Sequence, residues 1–281
     1  MNYSYYPGCS LHGASREYDT STQVLCKALD VELKELPDWI CCGASSGHSV
    51  DAVLNIGLSA YNLKIAEGQG LDVAVPCAAC FNRFKVAEYA IREKDGVHQQ
   101  MKDLLDFDFQ GKVKILNLVE LIRDRVGLET IQSKVVKPLT GLKVASYYGC
   151  LLVRPAEITG FDDPEHPQSL DEIMQSIGAE PVTWSYKTEC CGGSHSLTRS
   201  DIVNHLVDSL VDMAKEAGAH IITTACPLCF ENLEMRQSEG QFPIFYFTEL
   251  IGLALDLKES AHGMKKHMVD PKPLFKSLGL L

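Results

Sequence analysis

Ten of the eleven cysteines in this 281-residue chain obey one pattern written twice, and that duplication constrains the fold more than any other feature. Moving along by 149 residues carries Cys41, Cys42, Cys77 and Cys80 onto Cys190, Cys191, Cys226 and Cys229. Cys9 meets Cys150 after a shift of 141, so the second copy holds eight extra residues before its cysteine pair. Each half reads C-x(31 or 39)-C-C-x34-C-x2-C, and only Cys26 is unmatched, its counterpart being Gln175. The copies agree beyond cysteine: "YYPGCSL" with "YYGCLL", "CCGAS" with "CCGGS", "PCAACF" with "ACPLCF", and "NLVELI" with "YFTELI". A repeat of this length means two similar lobes, not a solenoid of short units. Pro138 and Gly141 break the pattern in "SKVVKPLTG", which places the boundary between 1–137 and 138–281.

Within each lobe, strand and helix signals alternate. "NYSYYPGC" and "KVASYYGC" read as strands entering a loop at Gly-Cys, and "LDVAVPC" and "HIITTACP" as buried strands broken at proline and cysteine. A helix with Val24, Leu25, Ala28 and Leu29 on its apolar face should follow the first strand. Another should bury Val50, Val53, Leu54, Leu58, Tyr61 and Ile65 after the cysteine pair. The expected class is α/β: two duplicated lobes, each with a small, mostly parallel sheet flanked by helices. Cys9, Cys77, Cys150 and Cys226 fall at expected strand ends, where sites in such sheets gather.

What would use these thiols is bounded by composition. A net charge of −11 disfavours nucleic-acid and anionic-membrane surfaces. No apolar run approaches the roughly 18 residues of a membrane span, and "MNYSYYPGCS" lacks signal-peptide character. A cytoplasmic location is expected, where thiols stay reduced and a disulfide framework is disfavoured. Zinc takes four ligands in a tetrahedron, whereas each half offers five, two of them adjacent and pointing apart. Iron–sulfur clusters let neighbouring thiolates reach different irons. Zinc and a redox dithiol remain the competing uses at this level.

With its two CCG cysteine sets, the pattern resembles the B subunit of heterodisulfide reductase over nearly the whole chain, including "GLKVASYYGC" and the second-lobe insertion "ITGFDDPEHPQSLDEIMQSIGA". The resemblance implies two non-cubane [4Fe-4S] clusters. Cys9, Cys41, Cys42, Cys77 and Cys80 would hold one, and Cys150, Cys190, Cys191, Cys226 and Cys229 the other. It implies a catalytic role in which a heterodisulfide (CoM-S-S-CoB or a related one) is split into two thiols, each cluster supplying one electron. It also implies two partner subunits of a heterodisulfide reductase complex, C being ferredoxin-like and A flavin-containing. Where methanogen members carry proline after the first cysteine pair, this chain has Gly43, which leaves the disulfide open and points to a non-methanogen relative. The alternative is an electron-relay role in another complex, of the lactate, glycolate, succinate or sulfur-metabolism type.

No G-x-G-x-x-G opens a helix and no C-x2-C-x2-C-x3-C run is present, so the chain carries no electron-input module of its own. His48 and His195 are proton-donor candidates against a surface role. Arg16, Arg83, Arg154 and Arg199 are anion-clamp candidates against ordinary salt bridges. Cys26 reads as a buried helix-face thiol. The basic, amphipathic C-terminal stretch "AHGMKKHMVDPKPLFKSLGLL" offers a partner-docking helix or a solvated one.

Overall fold

A computed structural model describes residues 1–238 and 242–280, apart from the side chains of 260–262. The first lobe is built on β1 (Asn2–Tyr5), β2 (Glu32–Glu35), β3 (Val73–Val75) and β4 (Ile115–Asn117), in the spatial order β2-β1-β3-β4. The second repeats it with β5 (Lys143–Tyr147), β6 (Glu180–Pro181), β7 (Ile221–Thr224) and β8 (Ile244–Tyr246), ordered β6-β5-β7-β8. Every pairing is parallel, for example Val73 with Ile115 and Ile222 with Ile244. The central strands β3 and β7 are buried along their whole length, and β1 and β5 at every residue but the first, as parallel strands covered on both faces must be. Pro181 sits in the edge strand β6, where a missing N–H costs no central ladder bond. The chain turns to opposite sides of β1 for β2 and β3, and does the same around β5. Between those strands lies the switch point that opens a crevice at the carboxyl edge of the sheet.

The helices used below are α1 (Arg16–Ala28), α2 (Ala52–Gln69), α3 (Ala78–Glu93), α4 (Ser169–Ser176), α5 (Ser200–Glu216), α6 (Pro227–Met235) and α7 (Phe247–Ala254). Two faces differ from the sequence expectation. In α1 the buried side runs through Tyr18, Thr22, Leu25 and Cys26, while Val24 and Ala28 are only half-buried. In α2 the buried side is Gly57, Ala60, Leu63 and Ala66, whereas Leu54 is 40% exposed and Val50, 74% exposed, lies before the Asp51 cap and outside the helix. The reason is close packing of α2 on α3: small side chains let two helices approach, so Leu54 is left outward while Val53, Ile56 and Ile65 pack at the edge of the core. Asp51 caps α2, accepting from Val53 N and Leu54 N.

The lobes exchange helices. α7, which follows the last strand of the second lobe, packs on α1 of the first, and α4 packs on the helical segment 118–133 that follows β4. Tyr18 stacks on Tyr246 at 4.0 Å between centroids, and Ser21 Oγ shares a 2.7 Å hydrogen bond with Thr248 Oγ1. The C-terminal stretch folds back on its own lobe. Phe275 is buried against Phe245, and Lys265, Lys266, Lys272 and Lys276 face outward. Its apolar half is thus already used; the side chains of Ala261 and His262 and all of Leu281 lie outside the described residues.

Three helices of this junction surround His267 with carboxylates. Its Nε2 lies 3.1 Å from Glu249 Oε1, which is fully buried, and its Nδ1 4.0 Å from Glu234 Oε1, with Glu17 nearby. Burial is the largest influence and disfavours the charged ring, but Glu249, Glu234 and Glu17 together outweigh it and raise the pKa above its ordinary value. A raised histidine pKa contributes stability that is complete below the unfolded value, about 6.5, and lost as pH rises through the folded value. The midpoint of thermal unfolding should therefore fall between pH 6 and pH 9 more steeply in the unaltered chain than in His267→Gln. Parallel curves would refute the assignment.

Candidate metal centres

Each site begins at the strand-to-loop turn after β1 or β5. Gly8 and Gly149 take φ of +72° and +67° there, a region open to glycine at little cost. A Cβ on Gly149 would come within 3.1 Å of Cys229 Sγ, and one on Gly8 within 3.3 Å of Cys80 Sγ. Only bare backbone fits against the sulfurs. Tyr6 and Tyr147 precede these turns, fully buried, and donate from Oη to Ile40 O (2.9 Å) and Glu189 O (2.7 Å). Those carbonyls stand immediately before the adjacent cysteines, so each tyrosine ties the first cysteine loop to the second. The sequence showed both tyrosines in its repeated motif but no role for them, because the acceptor is a backbone atom more than thirty residues away.

The paired thiols diverge as adjacent side chains should. Cys41 and Cys190 are exposed, while Cys42 and Cys191 turn inward to within 3.1 Å of Cys80 Sγ and 3.6 Å of Cys229 Sγ. Gly43 and Gly192, both at positive φ, aim their N–H groups at Cys41 Sγ (3.5 Å) and Cys190 Sγ (3.3 Å). A proline at position 43 would have no N–H to give, and the positive φ, with Leu58 2.6 Å from where a Cβ would stand, accounts for the glycine. Cys77 and Cys226 are the N-caps of α3 and α6, with Cys80 and Cys229 in the first turns, where the helix dipole favours thiolate.

Charge is shared unevenly among the thiols: interactions with Cys226, Cys42 and Cys191, followed by burial, push Cys77, Cys80 and Cys229 well above the usual range. Hydrogen bonds from Cys41 and Cys80 hold the Cys42 thiol well below the usual range, and those from Cys229 and Cys77 do the same for Cys226. Chiefly through its hydrogen bond with Cys150, Cys190 is brought down to about 6. Cys77 and Cys226 act on each other electrostatically across the lobes, so the two sets adjoin. Tyr18 Oη sits at that seam, 3.2 Å from both Pro76 O and Ala225 O. Reciprocal clasps flank it: Asn82 Nδ2 donates to Leu151 O and Arg154 O, and Ser15 Oγ donates to Glu231 Oε1.

All five second-lobe cysteines line one cavity of about 80 Å³, whose far wall includes Ala78 and Ala79 of the first lobe. Larger hollows of about 590 and 360 Å³ lie toward the amino ends of β1, β2 and β4 and contain no cysteine, so size does not identify the site; chemistry does. Among the described residues, no three His, Cys, Asp or Glu converge in the arrangement of a single-ion site. Sulfurs spread around a space suit a multi-atom group better than one ion.

The remaining candidates divide. Cys26 is buried in α1, its pKa pushed up to about 12 by burial, and takes no part. Arg199 pairs with Asp201, and Arg16 Nε donates to His12 O. Arg154 braces the second cysteine loop through Thr188 Oγ1 (2.9 Å) and pairs with Glu165. Arg83 acts on a cysteine, favouring the Cys42 thiolate. His48 has a buried Nδ1 without a partner among the described residues. His195 is exposed and acts electrostatically on Cys190.

Comparison with known proteins finds the same two segments. The family model CCG, a cysteine-rich domain, matches residues 3–85 and again 144–234. The 8-methylmenaquinol:fumarate reductase membrane anchor subunit of Wolinella succinogenes is 29% identical, over 97% of this chain and 98% of that protein. The B subunit of the Ferredoxin/F(420)H(2)-dependent CoB-CoM heterodisulfide reductase of Methanosarcina acetivorans is 24% identical, covering 95% of this chain and 93% of its own. A protein of Archaeoglobus profundus described as like the heterodisulfide reductase B subunit is 26% identical over 91% of each. Among solved structures, a hypothetical protein from Helicobacter pylori superposes with a TM-score of 0.73 at 11% identity, over 95% of this chain. The chain spans about half (51%) of that protein, and the likeness is one of fold.

Proposed function

The chain belongs to the CCG cysteine-rich domain family, carrying the domain once in each lobe, and from that premise we propose that it is an iron–sulfur electron-transfer subunit of a multisubunit reductase. Cys9, Cys41, Cys42, Cys77 and Cys80 would hold one non-cubane [4Fe-4S] cluster, and Cys150, Cys190, Cys191, Cys226 and Cys229 the other. Such clusters supply one-electron carriers ligated by thiolates. One observation carries the reading: a complete five-thiol set occurs twice, and the fold sets the two side by side through Cys77 and Cys226.

The chain's own residues prepare these sites. Gly43 N–H and Gly192 N–H point at sulfur, and hydrogen bonds to ligating sulfur favour the more negative, reduced state. Tyr6, Tyr147 and Tyr18 fix the cysteine loops through backbone carbonyls. Buried aromatics, among them Phe84 beside Tyr6 and Trp184 beside Tyr147, exclude water from beneath the thiols.

The named relatives are subunits of fumarate and heterodisulfide reductases, which supports an assembly whose other chains bring electrons and substrate. Two further subunits, C being ferredoxin-like and A flavin-containing, fit the heterodisulfide branch. No described helix is long and apolar enough to cross a membrane; we place the chain in the cytoplasm, with any membrane contact made by a partner. A second reading, direct disulfide cleavage, is favoured by the cavity between Ala78, Ala79 and the second-lobe cysteines. There a disulfide would take two electrons and two protons to leave as two thiols.

Anaerobic iron and acid-labile sulfide analysis should find about eight of each per chain, two four-iron clusters, with paramagnetic signals developing on stepwise reduction. Zinc in a colourless protein would overturn the cluster reading. Spectral change when a single thiol is added to the oxidised protein would favour direct cleavage; indifference to thiols, with turnover only in a reductase complex, would favour relay.

A further inference from the structure

The two cysteine sets are equal in ligands and unequal in the charges around them. Arg83 and Asn232 occupy equivalent places, each three residues beyond the last cysteine of its lobe. The half-buried Arg83 guanidinium is fixed by Asn55 Oδ1 (3.2 Å) and Asn82 Oδ1 (2.8 Å), and its charge acts on Cys42. Asn232 instead donates from Nδ2 to Cys191 O (2.9 Å), with a long contact to Cys191 Sγ (3.8 Å). One residue earlier, neutral Asn82 in the first lobe corresponds to Glu231 in the second, a carboxylate that acts on Cys226. Ahead of the adjacent cysteines, Ile40 corresponds to Glu189, whose charge acts on Cys190. His195 opposes Glu189 there, in the place of Ser46. The first site faces the fixed Arg83 cation; the second faces two carboxylates, one imidazole and Arg154, whose charge is paired with Glu165.

We propose that Arg83 makes the first-lobe centre the stronger electron acceptor of the two, so that the first electron delivered to the oxidised protein resides there. This rests on the two-cluster reading above. Reduction adds negative charge, so a nearby cation stabilises the reduced form and raises the potential. A guanidinium keeps its proton under all ordinary conditions. Half-buried, it acts at an effective dielectric nearer about 20 than about 80. An amide dipole supplies only part of that field, so Asn232 does not equal it. Glu189 is exposed and screened by salt. Arg154 on the second side is neutralised by Glu165, so Arg83 sets the difference whether or not Glu231 is charged.

Dithionite titration of the anaerobic, iron-replete chain, followed by paramagnetic resonance, should show two separate one-electron steps. Arg83→Asn, which copies the second lobe, should lower the reduced-to-oxidised ratio of the higher step about tenfold at fixed potential, ~59 mV for a one-electron couple. Arg83→Lys, which keeps the charge, should stay near the unaltered value, and Asn232→Arg should raise the lower step. Two steps that ignore Arg83→Asn, or that move together, would overturn the assignment. Iron analysis giving one cluster or none would mean that the two-cluster reading itself is wrong, and the assignment falls with it.

Discussion

Serine in place of Cys42 or Cys191 is expected to remove about half of the bound iron, a whole cluster and not one thiol's share. Each of these sulfurs is the inward member of its pair and lies against the last cysteine of its lobe, at 3.1 Å for Cys42–Cys80 and 3.6 Å for Cys191–Cys229. Cys42 is also a thiol held toward thiolate, the form that ligates metal. Removing it takes a ligand and the hydrogen-bond acceptor that orders its neighbours. The far lobe keeps its own five thiols, so the loss should stop near half. Cys26→Ser is the control: its thiol is buried in α1 and held protonated, so the iron content should not change. Equal iron in Cys42→Ser and the unaltered chain would remove Cys42 from the ligand set; loss of all iron would show that the lobes load as one unit.

The lobes, their parallel sheets and the strand-end cysteines were legible in the sequence because each leaves a local mark. Period-two or continuously apolar runs give β1, β3, β5 and β7, Gly-Cys and Pro-Cys junctions their ends, and the 149-residue repeat the two-lobed plan, whereas the outer strands, such as the largely exposed β2 (Glu32–Glu35), carry no such run. The face of α2 was not legible. Its buried stripe is Gly57, Ala60, Leu63 and Ala66, and small residues carry little hydrophobic signal compared with Val50 and Leu54. Tyr6, Tyr147 and Tyr18 escaped for another reason. Their work is done on carbonyls of Ile40, Glu189, Pro76 and Ala225, and backbone acceptors have no sequence signature. Arg83 is one of four equivalent arginines in the sequence; what separates it is a guanidinium held by Asn82 whose charge acts on Cys42, while Arg199 lies on Asp201.

Severed between residues 137 and 138, the chain should yield two halves that do not fold separately yet assemble when produced together. The proposed boundary divides two homologous repeats, but the packing does not respect it. α7 lies on α1, the Tyr246 ring covers Tyr18, and Ser21 bonds Thr248 across the junction. Val136 and Lys137 both donate to Ala254 O, tying the connecting segment itself to the second lobe. An aromatic side chain buries about 150–250 Å², so uncovering one costs roughly 4–6 kcal/mol at about 25 cal/mol per Å². Tyr246 keeps Phe230 and Tyr18 keeps Pro76 O within their own halves, so the cut uncovers part of each ring, still a sizeable share of a domain's whole stability of about 5–15 kcal/mol. The cut also strands Glu17 from His267 and Tyr18 from Ala225 O. Residues 1–137 alone should therefore aggregate or show no cooperative melting, and co-produced halves should elute as one complex with iron close to that of the intact chain. A monomeric first half with a sharp transition and half of the iron would show that each repeat is a folding unit after all. The expected result would mean that duplication created the second ligand set while the exchanged helices made the two inseparable, holding Cys77 and Cys226 within reach of each other.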